Sequence, residues 1–222
     1  MSNHQKGNAF VYVLVAVVLF AALSFILIRQ EDSKETGTLT PDQARLLASQ
    51  LIGTSTQIKS ALDQMIFAGT DPSEFNYNPP GSFGAAPHFD KVFHPDGGGV
   101  TLPVLSRNAV MDGIGTDPES GWYLGSFNHV EWTETTAQEV ILTAYGIEEI
   151  VCQELNRIIT GVTDIPTLDN EIRRFLINDN DHSSSNIDLN TANCTDCESL
   201  FSICVQNSTQ DEYAFYNILI AR

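Results

Sequence analysis

The chain has 222 residues and a formal net charge of −17, with 28 acidic against 11 basic side chains. From Pro41 onward 25 acidic residues stand against 8 basic ones, a surface that repels phosphate backbones and anionic lipid and so argues against nucleic-acid binding. The length left after an N-terminal apolar run suffices for one domain with its own core.

That run, residues 9–28, reads AFVYVLVAVVLFAALSFILI and holds no formal charge. As a helix rising ~1.5 Å per residue it matches the ~30 Å hydrocarbon core of a bilayer. The leader MSNHQKGN precedes it and RQEDSKE follows it. The flanks differ little in basic residues, and we expect the N-terminus inside because nearly all the mass and every cysteine follow the span. A removable secretory signal is the competing reading. Its apolar region normally runs ~7 to 15 residues up to a small-x-small site, whereas here Arg29-Gln30-Glu31 ends the run and Ala22-Leu23-Ser24 lies inside it.

Residues 31–40 are polar and include Gly37, a weak point in any continuous helix. Thr40-Pro41 then reads as an N-cap and first-turn proline, with Asp42 near the positive helix end. Leu47, Leu51, Ile58, Leu62 and Met65, flanked by Ala48, Ile52 and Ile66, recur at helical spacing. They predict an amphipathic helix of about seven turns, ending near Gly69, whose stripe needs a sheet to lie on.

Residues 70–121 contain NPPGSFGAAP, HPDGGG and DGIGTDPESG and predict a long connection with short strands such as residues 100–105. Residues 122–132 and 139–145 alternate in part and predict two strands around a turn at residues 133–137. In residues 147–160 the period becomes helical through Ile150, Val151, Leu155, Ile158 and Ile159, and Gly161 suits the helix end. Residues 171–178 fit strand or helix, residues 178–185 a loop, and residues 213–221, YAFYNILIA, a final strand.

Four cysteines, Cys152, Cys194, Cys197 and Cys204, follow the span at a distance. If the span carries them across a membrane they enter an oxidising compartment and should form disulfides. Should all pair internally, Cys152 joins one of the other three and closes a loop of at least 43 residues. The chain-entropy model gives that bridge roughly 4 kcal/mol. Redox and zinc readings of Cys194-Thr-Asp-Cys197 compete with it. The first needs the pair at a helix start after a strand, and the second needs a further ligand pair, toward which Cys152 could give one ligand.

Two oxygen- and nitrogen-rich stretches invite metal. His88-Phe-Asp90 with His94-Pro-Asp96 offers four candidate ligands, although Pro95 and Gly97 favour a solvated turn. Asp179, Asp181 and Asp188, interleaved with Asn180, Asn186 and Asn190, suit calcium, without the glycine and terminal glutamate of an EF-hand. Otherwise no cofactor is expected. No nucleophile elbow, P-loop or H-E-x-x-H occurs, so catalysis has no support in the sequence. Asn193-Cys-Thr and Asn207-Ser-Thr fit the glycosylation sequon.

A short leader ending in Lys6-Gly7, an unbroken apolar helix and an amphipathic continuation resemble the N-terminus of type IV pilins and of the pseudopilins of type II secretion. The resemblance implies cleavage between Gly7 and Asn8 by a prepilin peptidase and methylation of the new amino terminus. It divides the chain into a leader (1–7), a membrane and filament-core helix with hinge (8–40) and a head (41–222). It also implies an α+β head. In it a long N-terminal helix, half membranous and half amphipathic, packs on an antiparallel sheet beside a second short helix and a disulfide-tied C-terminal region. Phe10, Tyr12, Leu14 and Phe20 would lie on the assembly helix. The family usually has phenylalanine first and glutamate fifth in the mature chain; here those places hold Asn8 and Tyr12, a departure similar to that of some minor, tip-type subunits. The partners implied are copies of this chain or other pilin-like subunits, with the inner membrane as host before assembly and the cell surface afterwards. The alternatives are a single-pass anchored extracytoplasmic binding domain that never polymerises and, last, an anchored metal or redox enzyme.

Overall fold

The computed structural model describes residues 13, 15, 17–18, 39–115, 118–169, 171–178, 185–208 and 212–222. The chain divides into two units, Met1–Thr38 and Leu39–Arg222. In the first, Val13, Val15, Val17 and Val18 are helical and 62, 50, 62 and 57% exposed. The rest of the expected membrane helix lies outside the described residues. Among the described residues, no helix is long and apolar enough to cross a membrane.

The second unit opens with α1, Pro41–Phe67. Its start is doubly capped: the Thr40 hydroxyl accepts from the Gln43 backbone N–H at 3.4 Å, and Gln43 Oε1 accepts from the Thr40 N–H at 3.0 Å. Pro41 and Asp42 occupy the first turn, as expected. The stripe is buried through Leu47, Leu51, Ile58, Leu62 and Met65, whereas Ile66 at its edge is 37% exposed. After Phe67 the chain turns at Gly69, whose φ of +100° favours a residue without a side chain.

The sheet has five strands in the order β1-β2-β5-β4-β3. They are β1 Gly121–Ser126, β2 Val140–Tyr145, β3 Thr167–Leu168, β4 Ser202–Asn207 and β5 Tyr213–Ile220. Neighbours run antiparallel except β3, which pairs parallel to β4. The sheet is therefore mixed and not antiparallel throughout. Parallel neighbours require a crossover connection, and residues 169–201 supply it. Helix α2, Glu149–Thr160, ends at Gly161 with φ +87°, and α3 is Ile172–Leu176.

Period-2 alternation divides the strands between two faces. On one, Val140, Leu142, Ala144, Cys204, Tyr213, Phe215 and Leu219 meet α1 and α2. On the other, Ile141, Ile203, Val205, Ala214, Tyr216 and Ile218 meet α3 and the loops of residues 127–139 and 186–200. With both faces covered, every residue of β2 is buried.

Two expectations change, and one choice left open between strand and helix is settled. The strand expected over residues 122–132 stops at Ser126, because Phe127, Asn128 and Val130 turn inward as anchors of a loop. Residues 100–105 take no strand. Residues 171–178 contain a helix.

Candidate functional site

Cys152 on α2 bonds Cys204 on β4, across 52 residues. One turn further along α2, fully buried Asn156 repeats the joint without covalency. Its Nδ2 donates to the carbonyls of Cys204 (2.8 Å) and Asp164 (2.9 Å), and its Oδ1 accepts from the Cys204 N–H at 2.7 Å. The sequence reading missed Asn156, although a lone polar residue inside an apolar stripe, four places from a cysteine, was the available signal.

Cys194 and Cys197 bond each other across a single 3₁₀ turn, Thr195–Cys197. Both are buried, at 1 and 0% exposure, which closes them to the thiolate attack a redox pair needs. Three residues of 3₁₀ helix give little dipole, and no strand leads into them. The two bridges lie on opposite faces of the sheet, so the four sulfurs cannot share one zinc.

His88 and His94 do come together, with ring centroids 4.0 Å apart, and Phe83 stands edge-on to His94 at 4.9 Å. Between the carbonyl of Ala85 and His88 lies the ammonium of Lys91, a residue only 4% exposed, which donates to Ala85 O at 2.9 Å and meets His88 Nδ1 at 2.7 Å. One of the two His88 imidazole nitrogens is thus engaged by a cation. Desolvation, followed by the charge of Lys91, lowers the His88 pKa from its ordinary value. His94 Nδ1 accepts from the Asp96 N–H at 3.1 Å, so Nδ1 of each imidazole serves the folding of the turn. The glycines of HPDGGG make this turn possible: a Cβ on Gly98 would stand 2.5 Å from Val92 O and 3.0 Å from Met65 Sδ of α1.

Among the calcium candidates, Asp179 and Asp181 lie outside the described residues. Asp188 is engaged: its Oδ1 accepts from the His129 N–H at 2.9 Å and its carbonyl from Asn193 Nδ2 at 3.3 Å. Asn186 donates to the carbonyls of Arg174 and Ile177, and the Asn190 side chain accepts from the Asn193 N–H. Among the described residues, no group of three or more His, Cys, Asp or Glu is placed to hold a metal. Gly7, Asn8, Phe10, Tyr12, Leu14 and Phe20 also lie outside the described residues.

Beside Asp188 is a buried carboxylate that the sequence reading passed over. Glu139, fully buried, accepts from the Val130 N–H at 2.8 Å and the Thr133 hydroxyl at 2.5 Å, with His129 Nδ1 at 3.4 Å. Nearby, Glu131 accepts from the backbone N–H and hydroxyl of Thr191, which lowers its pKa. These groups tie residues 127–139 to residues 186–200. Each carboxylate is engaged in holding backbone.

Open space lies in a groove of about 550 Å³ beside β1, bordered by Tyr77, Phe93, Leu102, Trp122, Tyr123 and Phe127. A second hollow of about 480 Å³ lies between α1 and the segment carrying Val104 and Ser106. Both fall in the size range of ligand sites. Compared with family models, with curated proteins and with solved structures, the chain matches none of them.

Proposed function

We propose that this chain is a structural subunit of a type IV pilus-like or pseudopilus filament, assembled through its N-terminal apolar helix. One observation carries most of the weight. The four described valines of the apolar run are helical and half or more exposed, and such a surface calls for lipid or for copies of itself. The design of the head agrees with that reading. Its first element is an amphipathic helix with a sharp N-terminal start, seated on a sheet, and its C-terminal part is tied by disulfides.

In this reading the subunit waits in the inner membrane, a prepilin peptidase removes the leader after Gly7, and helix-to-helix contact then replaces lipid contact as the filament grows. The head coats the filament at the cell surface. Tyr12, in place of the family's glutamate, makes docking apolar at that position and suits a minor or tip subunit.

The test is the mature amino terminus, read by mass spectrometry on membrane-extracted protein. A chain beginning at Asn8, with Gly7→Val retained at full length and excluded from filaments seen by electron microscopy, is the expected result. Wild-type protein that keeps Met1 to Gly7 would overturn the proposal. The groove beside β1 favours one second reading, an anchored binding domain that stays in lipid. Binding without filaments would support it.

A further inference from the structure

The groove of about 550 Å³ borrows lining from both faces of one strand. Trp122 and Leu124 belong to the core on the side of α1, and Tyr123 and Phe127 to the core on the opposite side, yet all four border the same space. Because successive side chains of a strand point to opposite faces, a cavity touched by both sets runs along the strand's outer edge. β1 is the end strand of the sheet, with β2 on its inner side. The far wall is formed by Leu102 and Pro103, in a stretch without regular structure where Leu102 is 38% and neighbouring Val104 89% exposed.

We infer that the edge of β1 is a docking site for an extended peptide strand from a basic partner, which adds to the sheet inside this groove. Main-chain pairing with an edge strand supplies affinity in such sites, and pockets on either side read alternate side chains. Charge selects the occupant. Glu119 is the only charged side chain among the described lining residues, and residues 41–222 carry 25 acidic against 8 basic side chains, so a lysine- or arginine-bearing strand is drawn in. The wall offers one more unmet group: the Tyr77 hydroxyl is buried with no hydrogen-bond partner among the described residues, and burial raises its pKa. A backbone carbonyl of the incoming strand would accept from it. This inference does not rest on the filament reading and holds equally for an anchored domain.

The probe is an acetylated and amidated (Lys-Val)₄ peptide, titrated by calorimetry into the full chain in non-ionic detergent. Four controls accompany it: the (Glu-Val)₄ peptide, a (Lys-Val)₄ peptide N-methylated at alternate residues, the exposed-wall variant Leu102→Asp and the variant Glu119→Gln. The expected result is saturable binding of (Lys-Val)₄ and none of (Glu-Val)₄. N-methylation should weaken binding more than tenfold, because it removes ladder donors. Glu119→Gln should weaken it about threefold, as expected for one exposed charge pair, with circular dichroism unchanged. Absence of binding at millimolar peptide overturns the inference. So does equal binding of the N-methylated peptide, or binding indifferent to Leu102→Asp. Self-association abolished by Leu102→Asp, with no peptide binding, would instead assign the edge to a second copy.

Discussion

On one side of the sheet α1 and α2 lay apolar stripes across β2, β5 and β4. On the other side α3 has five residues, and loops at 127–139 and 186–200 supply most of the cover. A helix satisfies its own backbone, so the first face asks mainly for apolar side chains of the right size, with buried Asn156 and buried Ser55, the latter paired with Asn217, as its polar exceptions. A loop does not, and buried main chain without partners is costly. The second face is accordingly threaded with polar side chains that serve the backbone. Asn128 Nδ2 donates to the carbonyls of Arg174 (3.0 Å) and Phe175 (2.7 Å), the Thr143 hydroxyl to Leu176 O (2.5 Å) and Trp132 Nε1 to Leu200 O (3.2 Å). The helix face is held mainly by packing with one joint at Cys152, Asn156 and Cys204, and the loop face by many polar contacts on a packed floor.

The contrast can be broken first at the covalent joint. Replacing Cys152 and Cys204 together by alanine should remove about 4 kcal/mol, the chain-entropy value for a closed loop of 52 residues, read as a lower denaturation midpoint. If the loss stays near zero, Asn156 alone holds α2 to β4. On the helix face, Leu62→Ala should cost about 3 kcal/mol, since the side chain is fully buried and α1 cannot collapse inward to fill the space. That loss should be global, lowering the midpoint seen by every probe.

On the loop face, Asn128→Ala should cost about 2 kcal/mol by taking the donor from the buried Phe175 carbonyl, while Arg174 O keeps the Ile187 N–H and Asn186 Nδ2. Here the loss should be local. Hydrogen exchange should quicken in residues 172–177 before it does in β5, and equal quickening in both would erase the distinction between the faces. The smallest effect concerns Glu131. Its folded pKa lies below the ordinary glutamate value near 4.5 because Thr191 donates to it twice. Its contribution is thus present above that value and lost as the pH falls through the lowered one. Glu131→Gln should lower stability slightly at neutral pH, flatten the acid limb of the stability curve, and leave stability below the lowered value nearly unchanged.

The same contrast governs what could be read in the sequence. Both long helices were visible, because their stripes, the Thr40-Pro41 start and the Gly161 end are local signals that packing then used. Phe127, Val130 and Trp132 mimic strand alternation, yet they fasten a loop to the far face, and no local pattern distinguishes the two uses. β3 has two residues and owes its existence to β4, some 35 positions later, and β4 itself is the short run SICVQN. The Asn and Asp series at residues 186–190 has the composition of a calcium loop, but its described members turn inward to backbone groups, as loop cover demands. His88 and His94, grouped as candidate metal ligands on a turn that reads as solvated, lie ring against ring. Nothing in their spacing signals that Lys91 lies against them.

The bond between Cys152 and Cys204 has a mechanical meaning as well. A tension applied along the chain, entering at Thr40 and leaving near Ile220, would pass from α2 directly into β4. The 52-residue interval it spans could not be paid out, which withholds roughly 170–190 Å of extensible contour at ~3.3–3.6 Å per residue. Those parts of the loop-covered face that lie between the two cysteines, β3, α3 and the Cys194–Cys197 turn, are therefore shielded from load, whereas the loop of residues 127–139 is not, and the first lengths to yield under a pull would be α1 and the edge strand β1.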